Sequence, residues 1–131
     1  MAIGTQKSLY DEIGGDEGVH RLVETFYNIV ETDEAAKKLH ILHLRGNGIA
    51  NSKLEQHLFM SGFLGGPKLY LEKHGHANLK TMHAHVEVDI ESKDIWLSCM
   101  KKAMSAVSMT DDIQQKLMLI FKPVAERLVN H

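Results

Sequence analysis

The chain has 131 residues, of which 44% are hydrophobic, and this length and composition suffice for one continuous core, so we expect a single domain over residues 1–131. The chain has 15 basic and 17 acidic residues, which gives a net charge of −2, and it has no basic block. This charge pattern argues against nucleic acid or a membrane surface as a partner. Cys99 has no second cysteine to pair with, and neither a signal-peptide pattern nor a long apolar run is visible, so we expect a cytoplasmic protein.

The first strong element is an amphipathic helix in the segment EGVHRLVETFYNIVE, residues 17–31. Its apolar residues recur at i, i+3, i+4, i+7, i+8 and i+11, as one buried stripe of a helix requires. These residues are Val19, Leu22, Val23, Phe26, Tyr27 and Val30. Before this helix, SLYDE predicts a short helix that Gly14 and Gly15 terminate, because glycine readily adopts left-handed turns.

The middle of the chain predicts one or two helical turns in residues 33–40 and a glycine-marked loop across residues 41–51. A second helix is expected to begin near Ser52 and to stop at the GGP sequence of residues 65–67. Its apolar face carries Gln56, Phe59, Met60 and Phe63. Gln56 is therefore a polar side chain on an apolar stripe.

Two further core helices are predicted near the C-terminus. Apolar residues keep helical spacing from Ile95 to Val107, a segment that includes Trp96, and again from Ile113 to Leu128. Pro123 lies inside the second helix, where its missing amide donor and its ring predict a kink.

The segment KHGHANLKTMHAH, residues 73–85, holds four of the nine histidines. If residues 77–86 are helical, His83 lies on an apolar stripe and His85 points away. If a strand instead begins near His83 and continues through HVEVDI, residues 85–90, then His83 and His85 lie on the same face. A packed histidine, a haem ligand and a zinc ligand all fit this spacing, although structural zinc usually includes cysteine, and Cys99 lies on a separate helix. The spacing alone leaves these interpretations open.

Several motifs also occur in a specific order along the chain. They are YDEIGG at 10–15, FY at 26–27, FLGGPKLYLEKHGH at 63–76, NLKTMHAH at 78–85 and DIWLSCM at 94–100. Together they resemble the group II truncated haemoglobins over nearly the whole chain. The resemblance implies an all-α chain folded as a two-over-two helical sandwich, a reduced globin fold, around haem b.

The resemblance also implies roles for individual residues. His83 matches the proximal histidine that binds the haem iron, and Tyr27 and Trp96 match distal-pocket residues. Tyr70 and Lys80 are expected to contact the haem propionates, which need a hydroxyl or a cation nearby. The remaining residues expected to contact the haem or its ligand are His40, Ser52, Gln56 and Phe59.

The chain also departs from the family pattern. Met82 stands where an arginine usually reaches a propionate, so that contact is expected to be lost or moved to Lys80. Ala77 and His85 replace prolines, which predicts a longer or looser proximal helix. Residues 40–52 form a longer segment than in typical members. Water is the expected sixth ligand of ferric iron at neutral pH, and the alternatives are Tyr27, His40, His43 and His57.

The function implied by the resemblance is reversible binding of O2, NO and CO at the haem. The donors Tyr27, Gln56 and Trp96 would stabilise bound O2, and the resulting slow release suits NO detoxification, peroxidase-like chemistry or sensing better than delivery. No dedicated catalytic base is visible, so enzymatic activity is left open. An unknown reductase is the expected partner of a monomer or weak homodimer. The alternative, a cofactor-free or zinc-binding helical interaction protein, would lack a Soret band.

Overall fold

The computed structural model describes residues 7–45, 48–84 and 86–130, and within these ranges the chain is helical without a β-strand. The helices are α1 (Leu9–Glu12), α2 (Gly15–Thr32), α3 (Lys37–Arg45), α4 (Ile49–Phe63), α5 (Leu69–His74), α6 (Leu79–Met82), α7 (Ile90–Ala106) and α8 (Asp111–Leu128), with a 3-10 turn at Glu34–Ala36. The predicted all-α class is confirmed. None of the described helices is long and apolar enough to cross a membrane. The expectation that His85 points away concerns a residue outside the described ranges.

The long helices form two pairs. Helix α2 packs against α4, α7 packs against α8, and α2 also packs against α7, so one pair is stacked on the other. This is the predicted two-over-two sandwich. The apolar stripe of α2 lies at the centre of its core, where Val19, Leu22 and Phe26 are each 0% exposed. The amphipathic helix predicted from the sequence is therefore confirmed.

A close contact between α1 and α2 fixes the start of the sandwich. Gly14 caps α2 with a φ of 106°, in the left-handed region that L side chains rarely adopt. A Cβ atom on Gly18 would lie 1.9 Å from the Ile13 carbonyl oxygen, so only glycine allows this approach. The Tyr10 amide donates a hydrogen bond to the Leu64 carbonyl at 2.9 Å. Helix α1 thereby anchors the end of α4.

Helix α3 is longer than the sequence pattern predicted. A loop was expected across residues 41–51, but α3 continues to Arg45 and α4 already begins at Ile49. Leu39 is buried and Leu42 packs against the core. The predicted start of the loop at residue 41 was wrong: the helix continues, and Leu42, at helical spacing from Leu39, packs against the core.

The segment that carries His83 is helical for only one turn. His83 caps the C-terminal end of α6, so neither alternative for this segment is realised in full: the helix is shorter than residues 77–86, and the described residues form no strand. Beyond His83, the Val88 amide donates to Asn130 Oδ1 at 2.8 Å, and Asn130 Nδ2 donates to the Val86 carbonyl at 3.1 Å. These tertiary hydrogen bonds replace the bonds that a longer α6 would make.

The structure also places the two positions for which the sequence analysis considered proline, residues 77 and 123. Ala77 lies before α6 rather than within it, so its replacement of the family's proline does not extend the proximal helix at its start. Helix α8 continues through Pro123 to its end at Leu128. The core helix predicted there is confirmed, and the kink stays a prediction.

Candidate functional site

A cavity of about 480 Å³ is lined by residues of helices α2 to α8. This volume falls in the usual range for small-molecule and cofactor sites. The sequence-predicted residues that line it are Tyr27, Ser52, Gln56, Phe59, Tyr70, His83 and Trp96. His40 and Lys80 do not line the cavity. The fold therefore brings most of the predicted residues to one place.

His43 lines the cavity where His40 had been expected. His40 was expected there from the resemblance, because it falls thirteen residues after Tyr27, near the predicted end of a helix. Because α3 continues as a helix, His43 lies one turn after the buried Leu39 and faces the interior. The i, i+4 spacing of Leu39 and His43 is the sequence signal that would have identified it.

Tyr27 is the centre of a polar cluster inside the cavity. Its hydroxyl donates to Gln56 Oε1 at 3.1 Å and lies 3.4 Å from His43 Nε2. Burial raises the pKa of Tyr27 well above its usual value, an effect that the Ser52 side chain opposes. The Tyr27 hydroxyl therefore keeps its proton at physiological pH and remains a hydrogen-bond donor.

His43 is held by a second hydrogen bond. Its Nδ1 lies 2.9 Å from the Leu39 carbonyl oxygen, which can only accept, so Nδ1 carries a proton. In the neutral ring, Nε2 then presents a lone pair toward Tyr27. The single proton of the Tyr27 hydroxyl thus faces two acceptors, and the shorter contact favours Gln56.

We expect His43 to make the stability of the protein depend on pH. Burial lowers the pKa of His43 below its ordinary value of 6.5. The unfolded chain then binds a proton more readily than the folded one, so the free energy of unfolding falls as the pH drops below about 6.5. Urea unfolding of wild type and His43→Gln, both without added cofactor, at about pH 7.5 and about pH 5.5 should give the smaller loss of unfolding free energy in the variant. Equal losses would mean that His43 titrates alike in both states.

His83 lies on the α6 side of the cavity and is half-buried. Its Nδ1 lies 2.8 Å from the Leu79 carbonyl oxygen. This bond places the proton on Nδ1 and the lone pair on Nε2, which is the tautomer in which imidazole binds a metal. The Leu79 carbonyl also accepts the His83 backbone amide at 3.1 Å. One carbonyl therefore fixes both the ring orientation and the end of α6.

Aromatic side chains form much of the remaining wall. The Trp96 ring centroid lies 5.4 Å from that of Phe26 and 5.7 Å from that of Phe121. Phe59 stacks on Phe63 with centroids 5.4 Å apart. The contacts with Phe26 and Phe121 orient the Trp96 ring. This ring lines the cavity and carries an indole N–H donor.

In the described part of the chain, several imidazoles line the cavity, but they do not form a cluster of metal ligands. Within the described residues, no three His, Cys, Asp or Glu side chains lie together as metal ligands. Cys99 is buried on α7 and does not line the cavity. This part of the chain therefore offers no closed zinc site. One imidazole suits a metal that brings its other ligands with it, as haem iron does.

A buried donor further supports the fit of a liganded haem. Gln56 Nε2 is shielded from solvent and has no hydrogen-bond partner in the described part of the chain. An unsatisfied buried polar group costs about 1–3 kcal/mol. Because Gln56 lines the cavity, an acceptor atom on a molecule bound there would remove this cost.

Comparisons with known proteins agree with this geometry. The chain belongs to the bacterial-like globin family, whose sequence model matches residues 8–130. It is 34% identical over 121 residues to the group 2 truncated haemoglobin YjbI of Bacillus subtilis, covering 92% of this chain and 87% of that one. A globin implies a haem cofactor and small diatomic ligands.

Solved structures give the same assignment. The group II 2-on-2 haemoglobin of Agrobacterium tumefaciens superimposes with a TM-score of 0.88 at 28% identity, covering 95% of each chain. The truncated oxygen-avid haemoglobin from Bacillus subtilis has a TM-score of 0.81 at 33% identity, covering 95% of this chain and 100% of that one. The resemblance to group II truncated haemoglobins seen in the sequence is thus confirmed.

Proposed function

We propose that the cavity holds haem b with His83 as the iron ligand, and that the protein binds O2, CO and NO reversibly. The observation that carries this proposal is that one aromatic-walled cavity is lined both by a metal-binding imidazole and by a polar pair with a donor that is free within the described residues. The end of α6 presents the metal-binding tautomer of His83. Helices α2 and α4 present the Tyr27–Gln56 pair and its unsatisfied amide N–H.

Each residue of the pair has a defined task. A haem in the cavity would supply a ferrous iron that binds diatomic ligands and shifts electron density onto them. The Tyr27 hydroxyl holds Gln56 through its Oε1 atom, which leaves the Gln56 N–H groups to donate toward the ligand. Trp96 adds an indole N–H that can only donate. These donors stabilise a ligand that carries negative charge more than a neutral one.

Several donors directed at one ligand favour slow O2 release. The solved Bacillus subtilis neighbour, described as oxygen-avid, supports this expectation for a related pocket. Slow release suits redox chemistry or sensing better than delivery. We propose that the O2 retained in the pocket removes nitric oxide, or that the haem supports a peroxidase-like reaction. An unknown reductase would be the electron donor.

We expect the purified, reduced protein to bind O2 and CO reversibly. Mixing with O2 or CO should shift the Soret and visible bands, and removal of the gas should restore the reduced spectrum. Because CO carries little negative charge when bound, its release should depend less on the polar pair than O2 release does. Spectra that remain unchanged on adding either gas to the haem-loaded, reduced protein would contradict the proposed function.

A further inference from the structure

The mouth of the cavity carries a cluster of titratable side chains between α4 and α6. His74 Nε2 lies 2.8 Å from Glu55 Oε2, and Lys73 Nζ lies 3.4 Å from Glu55 Oε1. The Tyr70 ring contacts both imidazoles, with its centroid 4.2 Å from that of His74 and 5.9 Å from that of His76. Glu55, Tyr70 and both histidines line the cavity. The cluster is therefore continuous with the proposed haem site.

The backbone brings both histidines to this edge. Gly75 ends α5 with a φ of 77°, in the left-handed region that favours glycine. The centroids of His74 and His76, on either side of this turn, lie 6.4 Å apart. His76 Nδ1 accepts the Asn78 amide at 3.1 Å, so in the neutral ring the proton lies on Nε2. His76 thus keeps an N–H donor in either protonation state.

Other cations are less suited to bind a carboxylate at this mouth. Lys80 does not line the cavity, and Met82, which does, carries no charge. Lys93 lines the cavity, but its side chain is only 16% exposed, against 29% for His74, so it is less accessible at the open edge. Among the lining residues, His43 and His83 are already assigned to the interior. His74 and His76 remain as the basic groups at the open edge.

We propose that His74 and His76 bind the haem propionates, and that Glu55 weakens this binding by competing for His74. The inference rests on the proposed function, because it needs haem in the cavity. The porphyrin ring is apolar and its carboxylates are charged, so they favour the edge where donors and water are available. Burial and the charge of Glu55 raise the pKa of Tyr70, whose hydroxyl stays protonated as a further donor.

Haem loss to excess apomyoglobin, followed in the Soret region, tests this assignment. The double variant His74→Gln/His76→Gln should lose haem about threefold faster than wild type, the scale of partly exposed charge contacts. Glu55→Gln should lose haem more slowly, because it removes a repelling charge and frees His74. The control His20→Gln changes an exposed histidine outside the cavity and should match wild type.

Haem dimethyl ester, which lacks the carboxylate charges, makes the test specific. With this cofactor the double variant and wild type should lose haem at equal rates. Equal acceleration with haem and with its ester, or unchanged rates in both the double variant and Glu55→Gln, would overturn the inference. Those outcomes leave the proposed function intact, whereas a wild-type protein that takes up no haem would contradict the proposed function itself. If the double variant fails to fold, Glu55→Gln and single His76→Gln give the same comparison.

Discussion

His83→Ala is expected to abolish stable haem retention. Loss of a partner that merely orients a metal ligand costs about 10–100-fold in affinity, so loss of the ligand itself should cost at least about a hundredfold on that scale. The Leu79 carbonyl would keep only its backbone bond, so the turn of α6 should survive. Haem affinity is measured by titration with haemin, and added imidazole should restore part of the Soret band.

His20→Ala is the matched control because it removes an exposed imidazole that does not line the cavity. It should bind haem as wild type does. Wild-type haem affinity in His83→Ala would contradict the assignment of His83, and His43, whose protonated Nδ1 also leaves Nε2 with a lone pair, would be the next candidate. Circular dichroism of both variants excludes unfolding as the cause of a loss.

Trp96→Phe is expected to speed O2 dissociation by about tenfold or more. A hydrogen bond to a charged group contributes about 1.5–3 kcal/mol, and about 1.4 kcal/mol corresponds to a factor of ten. Phenylalanine keeps an aromatic ring against Phe26 and Phe121 and removes the indole N–H. Carbon monoxide release should change less. Stopped-flow replacement of O2 by CO, and of CO by NO, gives the two rates.

Tyr27→Phe is the informative comparison for the same measurement. It removes the hydroxyl that holds Gln56, and it leaves His43 Nε2 without its 3.4 Å neighbour. Because hydrogen-bonded networks are not additive, its effect on O2 release is expected to differ from that of Trp96→Phe. Equal acceleration of O2 and CO release in Trp96→Phe would mean that the indole acts only as a wall, and the argument for slow O2 release would fall.

The parts of the fold that the sequence predicts well are those where periodicity alone decides burial. The stripe of α2 is one example, because its apolar side chains pack against both neighbouring helices. Gln56 is another, since a polar side chain on an apolar face needs a partner, and it finds Tyr27. For these residues, local pattern and tertiary packing require the same conformation.

The errors occur where tertiary contacts override the local pattern. Glycines after residue 45 suggested a loop from residue 41, whereas α3 continues to Arg45 with Leu42 packed on the core and His43 lining the cavity. Helix α6 ends at Met82, and the chain beyond it is bound by Asn130, far away in sequence, through the backbone of residues 86 and 88. Such long-range hydrogen bonds leave no signal in a short sequence window.

A haemin titration of the wild-type protein, followed by reduction and addition of CO, tests the central claim most directly. The account predicts saturation at one haem per chain, a sharp Soret band unlike that of free haemin, and a further shift with CO after reduction. It also predicts that the same titration fails to saturate in His83→Ala. A gradual, non-saturating change in the wild type, or a spectrum that CO leaves unchanged, would contradict haem binding in this cavity.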